Sequence, residues 1–190
     1  MMSPRKGLDM NDILSAAAGI ADEKGAEQIT LAELAKRLNV RSPSLYNHVE
    51  SLTDLKDRLI AYGLTELNER LSMAVGGREG EEALYAAAAA YMAFAREHPG
   101  LYALTIRAPR EQNRLHASLG EQLVAKLLSA LQPFGLETDD AVHAVRGFRS
   151  LLHGFASLQE QGGFGMPVDT DASLSFVLRC YVRGLRNEAI

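Results

Sequence analysis

The stretch from Thr30 to Val49, TLAELAKRLNVRSPSLYNHV, restricts the fold of this chain more than any other segment. Thr30 can N-cap a helix, and Glu33 three residues later completes the spacing of a capping box. Leu31, Leu34, Ala35 and Leu38 then recur at helical intervals and give one apolar stripe. Asn39, which tolerates a left-handed backbone better than most non-glycine residues, ends that helix. Val40 is tucked beneath the turn. Ser42 is placed to cap a second helix, with Pro43 at its first position, where no backbone N–H is missed. Leu45 and Val49, four apart, form the inward face of that second helix, and Ala35 is small where the two helices must cross closely. The spacing predicts a helix-turn-helix, in which the second helix enters the major groove of DNA.

The outward face of the second helix carries Ser44, Tyr46, Asn47 and His48, with Arg41 and Ser42 at its N-terminal end. Asn bonds the N6/N7 edge of adenine, Ser reaches phosphate or base, and Arg favours guanine or phosphate. The helix N-terminus offers free N–H groups and positive potential to a phosphate. Taken singly, Ser42 and Ser44 also read as plain caps, and Tyr46 and His48 as ordinary surface residues. Capping, turn and polar face all agree on one structure, which favours the DNA reading for the segment as a whole.

The segment resembles the N-terminal domain of TetR-type transcriptional repressors. The resemblance rests on Thr30, Leu34-Ala35, Leu38-Asn39-Val40 and Ser44-Leu45-Tyr46-Asn47-His48-Val49. By matching position it implies DNA contacts for Thr30, Arg41, Ser42, Ser44, Tyr46, Asn47 and His48. Many members of that class carry Lys at the start of the fourth helix, where this chain has Leu52. Lys56, one turn later, is the candidate substitute for that phosphate contact.

At 190 residues the chain suits one or two modest domains with a real core. Its apolar content of 47% and charged content of 23% are ordinary for a water-soluble globular chain. The net charge of −4 argues against indiscriminate nucleic-acid binding. Even in residues 1–56, Arg5, Lys6, Lys24, Lys36, Arg37, Arg41 and Lys56 face eight acids. Placement therefore has to matter: Lys36, Arg37, Arg41, Arg5 and Lys6 clustered on one face would allow a few phosphate contacts. Strong affinity then requires two such modules, hence a dimer. The lone Cys180 can form no internal disulfide and reads as a small buried hydrophobe in a reducing compartment. No apolar run approaches the length of a membrane span, and Asp9, Asn11 and Asp12 interrupt what would be a signal-peptide core. A cytoplasmic protein is expected.

Taken in order, residues 1–8 read as a mobile arm whose Arg5 and Lys6 reach DNA, or simply as a disordered start. Asp9 or Asn11 caps a first helix to about Lys24, with Ile13, Leu14, Ala17, Ala18, Ile20 and Ala21 inward, and Gly25 stops it. Three helices bury little by themselves, so this head must lean on the rest of the chain. Ser51 or Thr53 caps a long helix to about Val75. A tight joint followed by a rod provides an element whose far end can swing the recognition helix. Gly76, Gly77 and Gly80 break the chain, and a helix from about Glu81 to Glu97 carries the run Ala86–Ala90, whose small surface suggests burial between other helices. His98-Pro99-Gly100 ends it. A short helix follows at Leu101–Leu104, then amphipathic helices over about Glu111–Leu131, Asp139–Gln161 and Ala172–Asn187. Gly184 inside the last one suggests a close helix contact. The fold class is all-α, about nine helices. A three-helix helix-turn-helix domain over residues 1–52 precedes a larger helical ligand-binding and dimerisation domain over residues 53–190.

The C-terminal part also resembles a domain class associated with TetR-type regulators and named for a Trp-His-Gly motif. Leu152-His153-Gly154-Phe155-Ala156-Ser157-Leu158 matches it with leucine in place of tryptophan, and Arg96-Glu97-His98-Pro99-Gly100-Leu101-Tyr102 is a second match. The resemblance implies a homodimer joined through the last two helices as a four-helix interface, a palindromic double-stranded DNA operator, and repression as the default output.

Nothing in the sequence forms a metal or cofactor motif: His48, His98, His116, His143 and His153 lack ligand spacing, and the Gly162–Gly165 loop lacks the strand and helix of a phosphate cradle. No cofactor and no enzyme activity are expected. Arg149 and His153 are candidates for recognising a polar or anionic effector, although interface ion pairs or a satisfied core histidine are the favoured reading of them. Such a repressor needs a switch, so a small-molecule effector pocket is expected among the helices between Leu52 and Gln161, with Tyr62, Tyr91, Met92, Phe94, Phe148, Arg149 and His153 as candidate lining. Two other readings compete: a helical DNA-binding module controlled by a protein partner and lacking any small-molecule pocket, and an all-helical enzyme using His153 with Glu160.

Overall fold

The structure, a computed structural model, describes residues 8–108 and 113–187. Among the described residues, regular structure consists of nine α-helices and two 3-10 turns, with no strand. Arg5, Lys6 and the expected start of the Glu111 helix lie outside the described residues.

Helix α1 (Met10–Lys24) opens on a full capping box: the Asp9 carboxylate accepts from the Asp12 N–H at 2.8 Å, and Asp12 reaches back to the Asp9 N–H. Helices α2 (Leu31–Arg37) and α3 (Ser42–Leu45) follow, then α4 (Leu52–Val75). The Ser51 hydroxyl accepts from the Asp54 N–H at the start of α4. Next come α5 (Gly80–Glu97), α6 (Pro99–Thr105), α7 (Arg114–Leu131), α8 (Thr138–Glu160) and α9 (Thr170–Asn187). No described helix is long and apolar enough to cross a membrane.

Compactness follows a different division from the 52/53 cut that the sequence suggests. One unit comprises Met1–Thr65 with His98–Ala117, and the other Glu66–Glu97 with Ser118–Ile190. The physical reason lies in the first unit. A three-helix head is too small to close its own core, and α6 supplies the missing wall. Ile13, Ala17, Ile20, Ile29, Leu34, Leu45, Leu55, Leu59 and Leu101 are all at most 1% exposed. Where α6 meets α1, Gly100 lies directly on the α1 backbone: a Cβ there would stand 2.0 Å from the Ala21 carbonyl oxygen. The Asp22 carboxylate accepts from the Leu101 N–H at 2.9 Å and pairs with His98 Nδ1 at 2.9 Å. A side chain of one helix thus satisfies a first-turn donor of another, where negative charge is also favoured by the helix dipole. Gly63 of α4 allows a similarly close approach to Leu101 and Thr105.

His116, at 5% exposure, belongs to the same unit. Burial pushes its pKa down, against a hydrogen bond to the Arg107 backbone and the charge of Asp57.

In the second unit α5 packs on α8 and α8 on α9. Leu84, Ala87, Phe94, Phe148, Leu152 and Val182 are buried between them. Arg70 donates to Glu97 at 2.6 Å and Glu66 at 2.8 Å while its guanidinium covers the Phe94 ring at 5.5 Å. The buried Asn68 donates to the Leu119 carbonyl at 3.0 Å and accepts from Lys126 Nζ at 2.8 Å. Several expectations need correction here. The alanine run is not enclosed, since Ala89 is exposed. Cys180 is exposed rather than buried. A Cβ on Gly184 would meet nothing within 4 Å, so no close helix contact surrounds it in the protomer.

Gly100→Ala should destabilise the protein by more than about 2 kcal/mol, because backbone, not a movable side chain, occupies the space. Gly120→Ala, on an open helical site, should stabilise by roughly 0.5–1 kcal/mol. Urea unfolding of both variants measures the contrast. A histidine whose folded pKa lies below its unfolded value contributes fully above that unfolded value and less as pH falls. Stability should therefore decline as pH drops below about 6.5, and His116→Gln should flatten that part of the profile.

Candidate nucleic-acid interface

The geometry of the candidate interface starts with how α2 ends. The Val40 N–H bonds the Ala35 carbonyl at 3.0 Å and the Asn39 N–H bonds the Lys36 carbonyl at 3.2 Å. With Asn39 at φ 53°, the one non-glycine residue of positive φ among the described residues, this is a Schellman motif. The turn therefore has a fixed direction, set by one left-handed residue and two backbone bonds. Thr30 caps α2 as expected, its Oγ1 accepting from the Glu33 N–H at 3.1 Å. The reciprocal half of the capping box is replaced: the Glu33 carboxylate binds Lys24 Nζ at 2.5 Å. Because a hydroxyl both donates and accepts, Thr30 still has a proton to offer outward.

The second helix starts one residue earlier than its sequence suggests. Arg41 occupies the N-cap, without a side-chain cap bond, and Ser42 and Pro43 are the first two helical residues. Regular helix ends at Leu45, after which the His48 and Val49 N–H groups both return to the Leu45 carbonyl, at 2.9 and 3.0 Å. Leu45 and Val49, at 0% and 1% exposure, anchor this segment in the core. Tyr46 stands 60% exposed, Arg41 and Asn47 are exposed, and Ser42, Ser44 and His48 are half-buried. A short rod is thus held by its apolar foot and presents hydroxyl, amide, imidazole and guanidinium groups together.

Cation placement differs from the expected cluster. Arg37 is turned toward α1 and grips Glu23 through two bonds of 2.7 and 2.6 Å, lying over Gly19. That hydrogen bond holds the Glu23 carboxyl below its ordinary value, and Lys24 does the same for Glu33. Arg37 and Lys24 therefore brace the head. Lys36, Arg41 and the half-buried Lys56 have no carboxylate partner among the described residues. These three place local positive charge beside the recognition segment, although the acids of residues 8–56 outnumber the bases.

The candidate effector residues are dispersed. Tyr62 belongs to the first compact unit, and Tyr91, Met92, Phe94, Phe148, Arg149 and His153 to the second. Phe94 is fully buried, Phe148 packs against the Tyr181 ring at 6.0 Å, Arg149 is exposed, and Tyr62, Tyr91 and His153 are half-buried. A cavity of about 510 Å³ does exist, between α5 and α9, and Met92 is the one member of the set that lines it. Its other walls include Tyr85, Ala89, Leu174, Leu178 and Arg179, which the sequence reading left out. The available signal was the stripe Tyr85, Ala88, Ala89, Met92, Arg96 at helical spacing. Among the described residues no group of His, Cys, Asp or Glu is arranged to hold a metal ion.

Comparison with known proteins agrees with this geometry. Residues 13–55 match the family described as bacterial regulatory proteins, tetR family, and residues 84–181 match the tetracyclin repressor-like C-terminal domain. The uncharacterized HTH-type transcriptional regulator YobS of Bacillus subtilis (strain 168) is 40% identical over 185 residues, covering 97% of this chain and 96% of its own. An uncharacterized HTH-type transcriptional regulator of Mycobacterium tuberculosis is 32% identical over 166 residues, with 87% and 76% covered. Among solved structures, a protein of unknown function from Rhodococcus sp. RHA1 superposes with a TM-score of 0.80 at 23% identity, over 98% of this chain and all of that one. A TetR variant from Acinetobacter baumannii AYE in complex with minocycline gives 0.71 at 22% identity, covering 97% and 99%. With a short polar rod footed on Leu45 and Val49, and with both halves matched, the chain belongs to the TetR family of bacterial helix-turn-helix transcriptional regulators.

Proposed function

We propose that the protein is a dimeric repressor that holds a palindromic operator through two copies of the Arg41–His48 segment and releases it on binding a small molecule. The observation that carries this reading is the separation of roles on one short element: Leu45 and Val49 are buried, while Arg41, Tyr46 and Asn47 are exposed. Asn47 is assigned to base-edge contact, and Arg41, Thr30, Ser42, Ser44 and Lys56 to phosphate, with Tyr46 and His48 packing on the backbone or base edges. Residues 1–52 act as the DNA-binding head, and residues 53–190 receive the effector and pair the subunits.

Pairing through α8 and α9 is supported by apolar groups left exposed there, Leu158 at 49% and Phe176 at 60%, and by the open surfaces over Gly154 and Gly184. An effector is supported by the minocycline complex of the A. baumannii relative and by the cavity of the second unit. Release requires the effector to favour the conformer in which two recognition segments no longer fit successive major grooves; affinity alone shifts nothing. Of the polar candidates on α8, neither Arg149 nor His153 lines that cavity. The output is transcriptional control in the cytoplasm rather than turnover of a substrate.

Selection from a random duplex library should enrich a two-fold symmetric site. Asn47→Ala should then relax preference at one position per half-site, costing about 1–3 kcal/mol there, while Arg41→Ala weakens every sequence and lowers the salt slope by about one. Filter binding across a salt series distinguishes these effects, and unchanged selection by Asn47→Ala removes that residue from base readout. Phe176→Glu should yield monomers in sedimentation velocity and lose operator affinity together. Retention of a dimer by that variant places the subunit interface elsewhere.

A further inference from the structure

The cavity between α5 and α9 has an unusual construction. At one end Arg96 holds Asp171 through both terminal guanidinium nitrogens, and its Nε donates to Gln159 at 3.0 Å. Beyond its other end, outside the cavity lining, Arg186 pairs with Glu81 at 2.9 Å. The two pins lie fifteen residues apart on each helix (96 − 81 and 186 − 171), so the antiparallel helices are held at matched points about 22 Å apart. Between the pins the α5 lining combines the small Ala88, Ala89 and Ala93 with Tyr85 and Met92, around a slot of about 510 Å³. That volume falls within the usual range for small-molecule sites.

Its floor is apolar, with Ala88, Met92, Leu174 and Leu178 each at most 8% exposed. Its charges do not cancel. Asp171 is already engaged by Arg96, whereas Arg179 has no carboxylate partner among the described residues. Antiparallel register brings Arg179 toward the Tyr85 end of the slot, away from the Arg96 pin. Phe176 and Cys180, offered for subunit pairing, lie about 200° around α9 from Leu174 and Leu178, so that face and the slot do not compete.

We propose that this slot binds an amphipathic carboxylate, its apolar body along Met92, Leu174 and Leu178 and its carboxylate on Arg179, and that it is the seat of the effector. The second half of that statement rests on the DNA-release reading above. A guanidinium recognises a carboxylate through charge-assisted hydrogen bonds, and a neutral or cationic amphiphile leaves it unpaired or repelled.

Decanoate titrated calorimetrically into the full-length protein should saturate at one equivalent per protomer. Arg179→Glu should weaken it about ten- to a hundredfold, the equivalent of one charge-assisted hydrogen bond. Ala89→Trp, on an exposed position, should fill the slot and abolish binding, and decyltrimethylammonium should bind far more weakly than decanoate. Equal decanoate affinity in wild type and Arg179→Glu, or no preference for the anion, overturns the site. A changed sedimentation coefficient in Ala89→Trp also overturns it, because the slot is then filled by a second copy. In parallel, decanoate should free a selected duplex from wild type at concentrations where Arg179→Glu retains it. Slot binding without release overturns the effector role alone, and failure of every duplex to bind overturns the repressor reading while calorimetry still decides the slot.

Discussion

The last turn of α1 is the constraint on which the DNA-facing unit depends. Four consecutive residues each make a different attachment: the Ala21 carbonyl lies under Gly100, Asp22 holds the start of α6, Glu23 takes Arg37 and Lys24 takes Glu33. One helical turn therefore binds α6 on one side and α2 on the other. The exposed ion pairs on the α2 side contribute little by themselves. The α6 side is different in kind, because a backbone carbonyl, a half-buried carboxylate and a glycine without alternative leave it no freedom to slide. Any shift of α6 is thereby transmitted to α1 as a shift of backbone, not of mobile side chains.

That arrangement explains how so short a recognition element can be oriented. Four residues of regular helix cannot hold themselves in place, since helix nucleation is unfavourable at that length. Orientation comes instead from the Schellman turn at Asn39 and from Leu45 and Val49 sealed into a core shared by α1, α4 and α6. Arg41, Tyr46 and Asn47 are left exposed on that element.

The second unit follows another logic. Its large side chains build a conventional packed interior, while α5 carries alanines along the face toward α9 and two exposed ion pairs bridge those helices at matched points. The slot between these pairs is lined by those alanines with Tyr85, Met92, Leu174 and Leu178. Arg179, with no carboxylate partner among the described residues, lines that slot.

Much of this was legible in the sequence because local chemistry decided it. Asp9 and Thr30 as caps, Gly25 as a stop, Asn39 as the left-handed residue, and the i, i+4 pair Leu45 and Val49 all act within a few residues of themselves. The all-helical class and the polar rod follow from such signals. Tertiary structure decided what local signals cannot encode. Arg37 looked like a DNA-facing cation and became a brace because Glu23, fourteen residues earlier, comes within 2.7 Å of it. Cys180 looked like a buried hydrophobe and is exposed because its side of α9 meets nothing in the protomer. The compact units cross the chain because α6 completes the core of the head. The slot arises from two helices seventy-five residues apart, Arg96 to Asp171, where periodicity defines each face but not which face it meets.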